Sequence, residues 1–241
     1  MLKILLLQAR EVGDPVRQEE RCSFAEKAGL ELDQIHTHDL LTGPPGPRTL
    51  DKFDALMVGG SGDFYVSDRS LPKLGPSMDF LAEVADKGFP MFASCFGFQM
   101  LVQALGGQIV YGADTTEVGT FEIRLTEAGR EDELTGVLPE VFAAQLGHKD
   151  RAEILPPGVL HLASSELNRY QAFRLPDRPI WATQFHPELD ERTNRMRFDR
   201  YLDGYAAVMS EQERQSTTER FFESPETSAL LPRFLEVVFG H

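Results

Sequence analysis

The sequence predicts a three-layer α/β fold, with a central, mostly parallel sheet and helices on both faces. Continuous apolar runs alternate with amphipathic stretches in the N-terminal half, and several of these stretches end at glycine. Apolar runs of this kind are typical of strands buried on both faces, and strands that alternate with helices form parallel sheets. Glycine often ends a helix. The expected strands are 3–8, 32–38, 54–58 and 90–94, and the expected helices are 17–30, 76–87 and 96–105.

The pattern changes in the middle of the chain. Short apolar runs separated by glycine, proline and charged turns predict additional, partly antiparallel strands. From Asp190 onward the spacing is helical again, so we expect an α/β domain over 1–190 and a helical extension over 191–241 packed on the same domain. The further strands are expected at 108–111, 116–125, 141–146, 159–163, 171–175 and 180–184, and the further helices at 194–210 and 228–239, with a polar segment, 211–218, between them.

Composition excludes several classes of partner. The chain of 241 residues carries a formal net charge of −14, whereas phosphate backbones are bound through clustered Lys and Arg, so no nucleic-acid partner is expected. No apolar stretch approaches the roughly 20 residues that span a bilayer, so no membrane partner is expected.

Two cysteines do not make a disulfide framework, and free thiols favour the cytoplasm. Scattered histidines without paired Cys-x-x-Cys predict no metal site, and we expect no cofactor.

The strongest chemical signal lies at Cys95, which follows the strand expected at 90–94. Small residues, Ala93 and Gly97, stand two positions before and after it, and a helix is expected from Phe96. This pattern predicts a nucleophile elbow, in which a tight strand-to-helix turn projects the nucleophile from the sheet edge. The helix N-terminus favours a thiolate. Because free cysteine is commonly a buried, inert thiol, the flanking pattern carries this prediction.

A second signal is the sequence His186-Pro187-Glu188 at the end of a predicted strand. A cysteine nucleophile needs a base, and the base needs an orienting group. Taken alone, the segment is explained better by an exposed histidine beside an unrelated acid, and the combination with a cysteine at a strand end weakens that explanation. The third signal, Gly59-Gly60-Ser61-Gly62, follows a strand, and such glycines let a backbone approach a ligand closely. Without a following Gly-Lys-Ser/Thr it is not a phosphate-binding loop.

Together the three segments, which read MVGGSGDF, ASCFGFQML and ATQFHPEL, resemble the glutaminase domain of the class I (triad-type) glutamine amidotransferases. The resemblance covers residues 1–190 and implies a flavodoxin-like catalytic domain. It makes Cys95 the nucleophile, His186 the base and Glu188 the acid that orients the base. It also places Gly60 and Phe96 in the oxyanion hole and implies that Gln99 contacts the substrate.

The chain departs from the family pattern at two positions. Ala93 replaces the usual glycine before the nucleophile, and it is small enough for the elbow to form. The family's His-Gly-Asp segment, which precedes a Leu-Pro pair, is present as His148-Lys149-Asp150. This leaves the role of His148 and Asp150 open, with a structural turn favoured, and Lys149 is expected to be solvated, as most lysines are.

The resemblance implies that the chain hydrolyses the γ-carboxamide of glutamine to glutamate and ammonia through a γ-glutamyl thioester on Cys95. The ammonia acceptor is not evident, and we expect any acceptor-activating activity to come from a separate synthetase partner. A γ-glutamyl peptidase or hydrolase that uses the same triad on a larger leaving group is the main alternative. A catalytically idle binding module is a further alternative, against which the intact Cys, His and Glu set argues.

Overall fold

The computed structural model of the chain describes residues 1–206 and 209–240, in which eleven strands and eight α-helices are present. The strands are β1 (Ile4–Ala9), β2 (Ile35–Asp39), β3 (Ala55–Ser61), β4 (Met91–Ser94), β5 (Gln108–Tyr111), β6 (Glu117–Leu125), β7 (Val141–His148), β8 (Asp150–Ile154), β9 (Leu160–Ser164), β10 (Ala172–Arg174) and β11 (Ile180–Thr183). The helices are α1 (Val16–Ala28), α2 (Leu74–Lys87), α3 (Phe96–Ala104), α4 (Glu127–Glu131), α5 (Glu191–Arg200), α6 (Leu202–Ala206), α7 (Glu211–Thr218) and α8 (Leu230–Phe239).

Nine strands form one sheet, in the order β2-β1-β3-β4-β11-β10-β9-β6-β7. Strands β2, β1, β3, β4 and β11 are joined by parallel pairing, whereas β10 and β6 run against their neighbours. Strands β5 and β8 form a separate antiparallel pair. The predicted α/β class, with a large, mostly parallel sheet flanked by helices, is therefore confirmed.

Alternation along β1 shows how the sheet is covered on both faces, because successive side chains of a strand point to opposite faces. Leu6 packs in a cluster with Phe24 of α1 and Phe234 of α8. The next residue, Leu7, packs in a second cluster with residues of α2 and α3. All six residues of β1 are buried, which explains why this strand has a continuous apolar run rather than an alternating one.

Four segments differ from the sequence prediction. The strand expected at 32–38 begins at Ile35, because Leu32–Gln34 forms a 3₁₀ turn. The sequence pattern does not predict β8, in which Asp150, Arg151 and Glu153 interrupt the apolar run. The polar segment 211–218 is helix α7, and the short helix α4 was not expected either. In β8, α4 and α7, charged or polar residues masked the apolar pattern from which the element would have been predicted.

The helix expected over 194–210 begins earlier and is interrupted. Helix α5 begins after Asp190, whose side chain accepts a hydrogen bond from the Thr193 amide in a capping box, and it ends before Tyr201. Helix α6 follows, and residues 207 and 208 of the expected helix lie outside the described residues. Helix α8 packs against α1 and the sheet. The division of the chain at residue 190 stays a prediction.

Within 1–206 and 209–240, no helix has the length and apolar character needed to cross a membrane.

Helix α8 contributes to the central core, and this contribution can be measured. Phe234 is fully buried, with its ring centroid 5.7 Å from that of Phe92 and 6.0 Å from that of Trp181. We expect Phe234→Ala to lower the free energy of unfolding by about 3–5 kcal/mol, because the cavity it leaves cannot be filled by small shifts. Urea denaturation followed by circular dichroism measures this. The control is Leu167→Ala at an exposed position, expected to change stability by less than about 0.5 kcal/mol. Equal effects of the two substitutions would contradict this packing.

Candidate functional site

The candidate nucleophile and base follow two neighbouring strands. Parallel pairing places Ser94 of β4 opposite Thr183 of β11, and both strands end there. Cys95 comes directly after β4, and His186 follows β11 by a short turn. Carboxyl ends of adjacent parallel strands meet at one edge of the sheet, which is where α/β proteins place their ligand sites.

The backbone at Cys95 is strained. Its φ of 50° and ψ of −103° are unusual for a residue with a side chain, and the residue is 6% exposed. A Cβ at Gly97 would lie 2.6 Å from the carbonyl oxygen of Val58, so that position needs glycine. Ala93 is accommodated in the core without exposed surface. The predicted elbow therefore forms with alanine in the first small position, and a strained backbone presents the thiol at the start of α3.

Glu188 lies beside His186 and is hydrogen-bonded to its ring. The Nδ1 atom of His186 lies 2.6 Å from Oε1 of Glu188, which has no exposed surface. Burial on its own would raise the pKa of Glu188, but the charge and hydrogen bond of His186, together with the charge of Arg197, hold it below its usual value. Glu188 is thus kept as a carboxylate that fixes the imidazole orientation.

His186 and Cys95 both lie in the cavity wall, and the Cys95 thiol is directed at the Gly147 carbonyl oxygen, 4.0 Å away. Burial favours the neutral imidazole and lowers its pKa. However, the negative charge of Glu188, its hydrogen bond to the ring and the nearby Cys95 together raise the pKa of His186 to about 10. The imidazole is therefore protonated at neutral pH. Histidine and glutamate thus form a hydrogen-bonded pair in the wall of the cavity that Cys95 also lines.

The two candidate oxyanion donors differ in availability. The Phe96 amide is the first in α3, and the first amides of a helix have no acceptor within the helix. The Gly60 amide, in contrast, donates to Oε1 of Glu20 at 3.1 Å. The expectation that Gly60 supplies a free oxyanion donor is therefore not supported by this geometry, because a buried carboxylate holds its N–H.

Glu20 also explains why two glycines stand at the end of β3. A Cβ at Gly59 would lie 2.7 Å from Oε1 of Glu20, and a Cβ at Gly60 would lie 3.1 Å from Cε1 of His186. The glycines thus let β3 pass between a buried carboxylate and the base. The sequence analysis did not identify Glu20, because a glutamate within a charged helix is usually solvent-exposed. In the structure, however, Glu20 has no exposed surface.

Two buried arginines, also missed, surround these carboxylates. Arg10, at the end of β1, donates to Glu20 at 2.8 Å and to the Tyr201 hydroxyl at 2.7 Å. Arg197 of α5 donates to Glu19 at 2.8 Å, and its Nη1 lies 3.7 Å from Glu188 and 3.8 Å from Glu20. Arg197 thereby links the C-terminal extension to the base–acid pair.

Gln99, expected to contact substrate, lines the cavity one helical turn beyond Cys95. Its Nε2 donates to the Asp150 carbonyl at 2.9 Å and to Oε1 of Gln184 at 3.2 Å. The structure therefore gives Gln99 a role in fixing the β7–β8 turn, and contact with substrate stays a prediction.

The segment 148–150 forms a buried turn. Nδ1 of His148 lies 2.9 Å from the Asp150 carbonyl, and Nε2 lies 3.0 Å from Glu117. The Asp150 carboxylate accepts from the amide and the hydroxyl of Ser67. These contacts agree with a structural turn. The expectation that Lys149 is solvated is wrong, because Lys149 is only 6% exposed and its ammonium lies in the cavity wall.

The cavity in front of Cys95 has a volume of about 60 Å³, well below the roughly 300–1,000 Å³ of typical small-molecule sites. Its wall contains Cys95 and His186. Further wall residues come from the turn after β3, from the β7–β8 turn and from helices α3, α5 and α6. Among the residues that the structure describes, no group of three or more His, Cys, Asp or Glu side chains could hold a metal ion.

Comparison with known proteins agrees with this geometry. The chain is 31% identical over 176 residues to a GMP synthase [glutamine-hydrolyzing] of Thermosipho africanus, covering 73% of this chain and 31% of that protein. It is 29% identical over 143 residues to one subunit of the GMP synthase [glutamine-hydrolyzing] of Methanosarcina barkeri, covering 59% of this chain and 72% of that protein. The match thus spans less than a third of the longer relative.

The fold is similar to that of a solved glutamine amidotransferase from Thermotoga maritima, with a TM-score of 0.72 and 19% identity over 98% of this chain and 97% of that one. The model of the family described as "Glutamine amidotransferase class-I" matches residues 28–202, which include Cys95, His186 and Glu188. On this match and this geometry, the chain belongs to the class-I glutamine amidotransferase family.

Proposed function

We propose that the chain hydrolyses glutamine to glutamate and ammonia, with Cys95 as the nucleophile, His186 as the acid and base, and Glu188 as the orienting carboxylate. The observation that carries this proposal is the hydrogen bond between His186 and Glu188 in a small cavity whose wall also contains Cys95. A nucleophile, a base and an orienting acid in this order are the elements that covalent acyl transfer needs.

In the first half of the reaction, the Cys95 thiolate attacks the γ-carbonyl carbon and a C–S bond forms. The carbonyl oxygen becomes an oxyanion, and the Phe96 amide is the donor placed to stabilise it. Protonated His186 gives its proton to the departing nitrogen, the C–N bond breaks, and ammonia leaves. A γ-glutamyl thioester on Cys95 remains. Gly60 is not assigned to the oxyanion hole, because its amide is held by Glu20.

In the second half, His186 is neutral and accepts a proton from water, whose oxygen attacks the thioester carbonyl. The C–S bond then breaks, glutamate leaves, and the thiolate and imidazolium are restored as a pair. Glu188 stabilises the charged imidazole throughout and forms no bond to substrate. The high pKa of His186 favours its acid role in the first half.

We further propose that the ammonia passes to an acceptor bound by a separate synthetase-type partner. In support, the chain aligns with 72% of a short relative whose name makes it one subunit of a synthase, and with only 31% of a longer relative. That division into subunits belongs to the relative, and the acceptor for this chain is left unassigned.

The wall of the cavity beside Lys149 favours glutamine over γ-glutamyl peptides. Lys149 donates to the Tyr65 hydroxyl at 2.6 Å and to the Gly204 carbonyl at 2.8 Å, which closes the wall between the cavity and an outer groove. A peptide leaving group would require this wall to open further than ammonia does. Comparing kcat/KM for glutamine and for γ-glutamyl dipeptides separates the two reactions, and a strong dipeptide preference would favour the peptidase.

The charge state of His186 can be tested directly. In the wild type we expect the ring of His186 to titrate with a pKa of about 10, measured by NMR of ¹⁵N-labelled imidazoles. Glu188→Gln removes the main charge that opposes burial, so the pKa should fall. His161, whose pKa is lowered by burial at a distant position, serves as the internal control and should not change. An unchanged His186 pKa in Glu188→Gln would contradict the assignment.

The identity of the nucleophile can be tested with the two cysteines of the chain. We expect Cys95→Ala to lower glutaminase kcat by at least about 1,000-fold, as loss of a covalent nucleophile does in comparable enzymes. Cys22→Ser is the matched control, because Cys22 is exposed on α1 and should leave the rate near that of the wild type. Ammonia release measures both. If Cys95→Ala kept most of the activity while folded, the proposed mechanism would be wrong.

A further inference from the structure

Arg197 is a buried cation that lies between two buried carboxylates. Its Nη1 atom is 3.7 Å from Oε1 of Glu188 and 3.8 Å from Oε1 of Glu20. Both carboxylates have no exposed surface, and Arg197 is 6% exposed. The Nε atom of Arg197 donates to Glu19 at 2.8 Å, whereas neither Nη atom has a hydrogen-bond partner among the described residues. The guanidinium therefore acts on Glu188 and Glu20 through its charge.

The sequence of α5 explains how an arginine reaches this place. Asp190, two residues after Glu188, caps the helix, so α5 follows directly on the segment that carries the base and its orienting acid. The buried residues of the helix recur four positions apart and therefore share one face, which consists of Thr193, Asn194, Arg197 and Phe198. Arg192 lies on the exposed side of the same helix.

The proposed reaction removes the charge of the histidine partner of Glu188 once in each cycle. Burial raises the pKa of Glu188, and the charges of His186 and Arg197 lower it. When His186 gives its proton to the departing nitrogen, Glu188 is left as a buried anion beside a neutral ring. Its Oε2 atom accepts no hydrogen bond from the described residues. A buried carboxylate is costly without a cation, and Arg197 keeps its charge throughout the cycle.

The other charged groups that face Arg197 come from α1 and from the end of β1. Glu19 and Glu20 face it from α1. Arg10, at the end of β1, pairs with Glu20 at 2.8 Å, so Glu20 has a cation of its own. The charge of Arg197 is therefore not neutralised by Glu20 alone, and part of it remains to offset Glu188.

We propose that Arg197 is a positioning residue of the glutamine hydrolysis, which keeps Glu188 ionised and in place against His186 while the imidazole loses and regains its proton. This inference rests on the proposed function and deepens it. Arg197 acts through Glu188 and forms no bond to the substrate. Helix α5 thereby contributes to the reaction as well as to the stability of the fold.

The test is the pH dependence of glutamine hydrolysis in Arg197→Gln, which keeps a donor for Glu19 and removes the charge. A carboxylate whose pKa is lowered stays ionised until the pH falls through that pKa, so wild-type activity should be lost only at acid pH. Removing the cation raises the pKa of Glu188, and the acidic limb of kcat should move to higher pH. At neutral pH we expect kcat to fall about 10- to 100-fold with KM little changed.

Two further variants separate charge from structure. Arg197→Lys keeps the charge and should return the acidic limb toward its wild-type position. Arg192→Gln removes an exposed charge from the same helix and should change neither the limb nor kcat. If Arg197→Gln lowered kcat equally at every pH with the acidic limb unmoved, the inference would be overturned, because Arg197 would only hold α5 against α1. A rise in KM alone would also overturn it, because Arg197 would then act on the substrate.

A titration without turnover separates this inference from the proposed reaction. The ¹³C-labelled side-chain carboxyl of Glu188, assigned by the loss of its signal in Glu188→Gln, is followed by NMR in the substrate-free protein. It should titrate at higher pH in Arg197→Gln than in the wild type, and identical titrations would contradict the role of Arg197. Arg197→Met is the second neutral variant should Arg197→Gln not fold, with the same shift expected. If the shift were present in a protein that released no ammonia, the reaction would be wrong and the effect of Arg197 on Glu188 right.

Discussion

The hydrogen bond between His186 and Glu188 is the interaction on which the rest of the site depends. Glu188 has no exposed surface, and its carboxylate lies 2.6 Å from the imidazole. Breaking a buried charge pair of this kind costs about 3–5 kcal/mol, because one charge is left without a partner. The pair fixes the ring beside Cys95 and keeps it protonated. In the mechanism that we propose, Glu188 acts through the imidazole and forms no bond to the substrate.

Charged side chains from distant parts of the chain surround the His186–Glu188 pair. Arg197, from α5, lies between Glu188 and Glu20, and Arg10, at the end of β1, lies against Glu20. The Tyr201 hydroxyl donates to Asp14 at 2.6 Å and accepts from Arg10. The C-terminal helices thus supply part of the wall of the cavity and part of its charge balance. In this chain the extension is a component of the candidate site.

The sequence predicted the triad residues because each lies in a local pattern with a physical reason. Cys95 stands between small residues at the end of an apolar strand, and His186 and Glu188 are two positions apart after another. Strand order then brings the two segments together. The α/β class followed from buried apolar runs that alternate with helices.

Sequence patterns could not predict the burial of three charged side chains at the site, those of Glu20, Arg197 and Lys149. Charged side chains in polar segments are usually solvated, and only the packing of α1, α5 and the β7–β8 turn around the cavity buries them. For the same reason, Gly60 was expected to donate to an oxyanion, whereas its amide meets a carboxylate from a helix far away in sequence. Strand β8 was missed because its charges resemble those of a turn.

The central claim is that a γ-glutamyl thioester forms on Cys95, and mass spectrometry of the acid-quenched enzyme tests it most directly. Wild-type protein mixed with glutamine, quenched within the first turnover and digested, should yield a glutamyl adduct on the peptide that contains Cys95. The peptide with Cys22 should be unmodified. Glutamate production without any adduct on Cys95 at early quench times, or an adduct on Cys22 instead, would contradict the account.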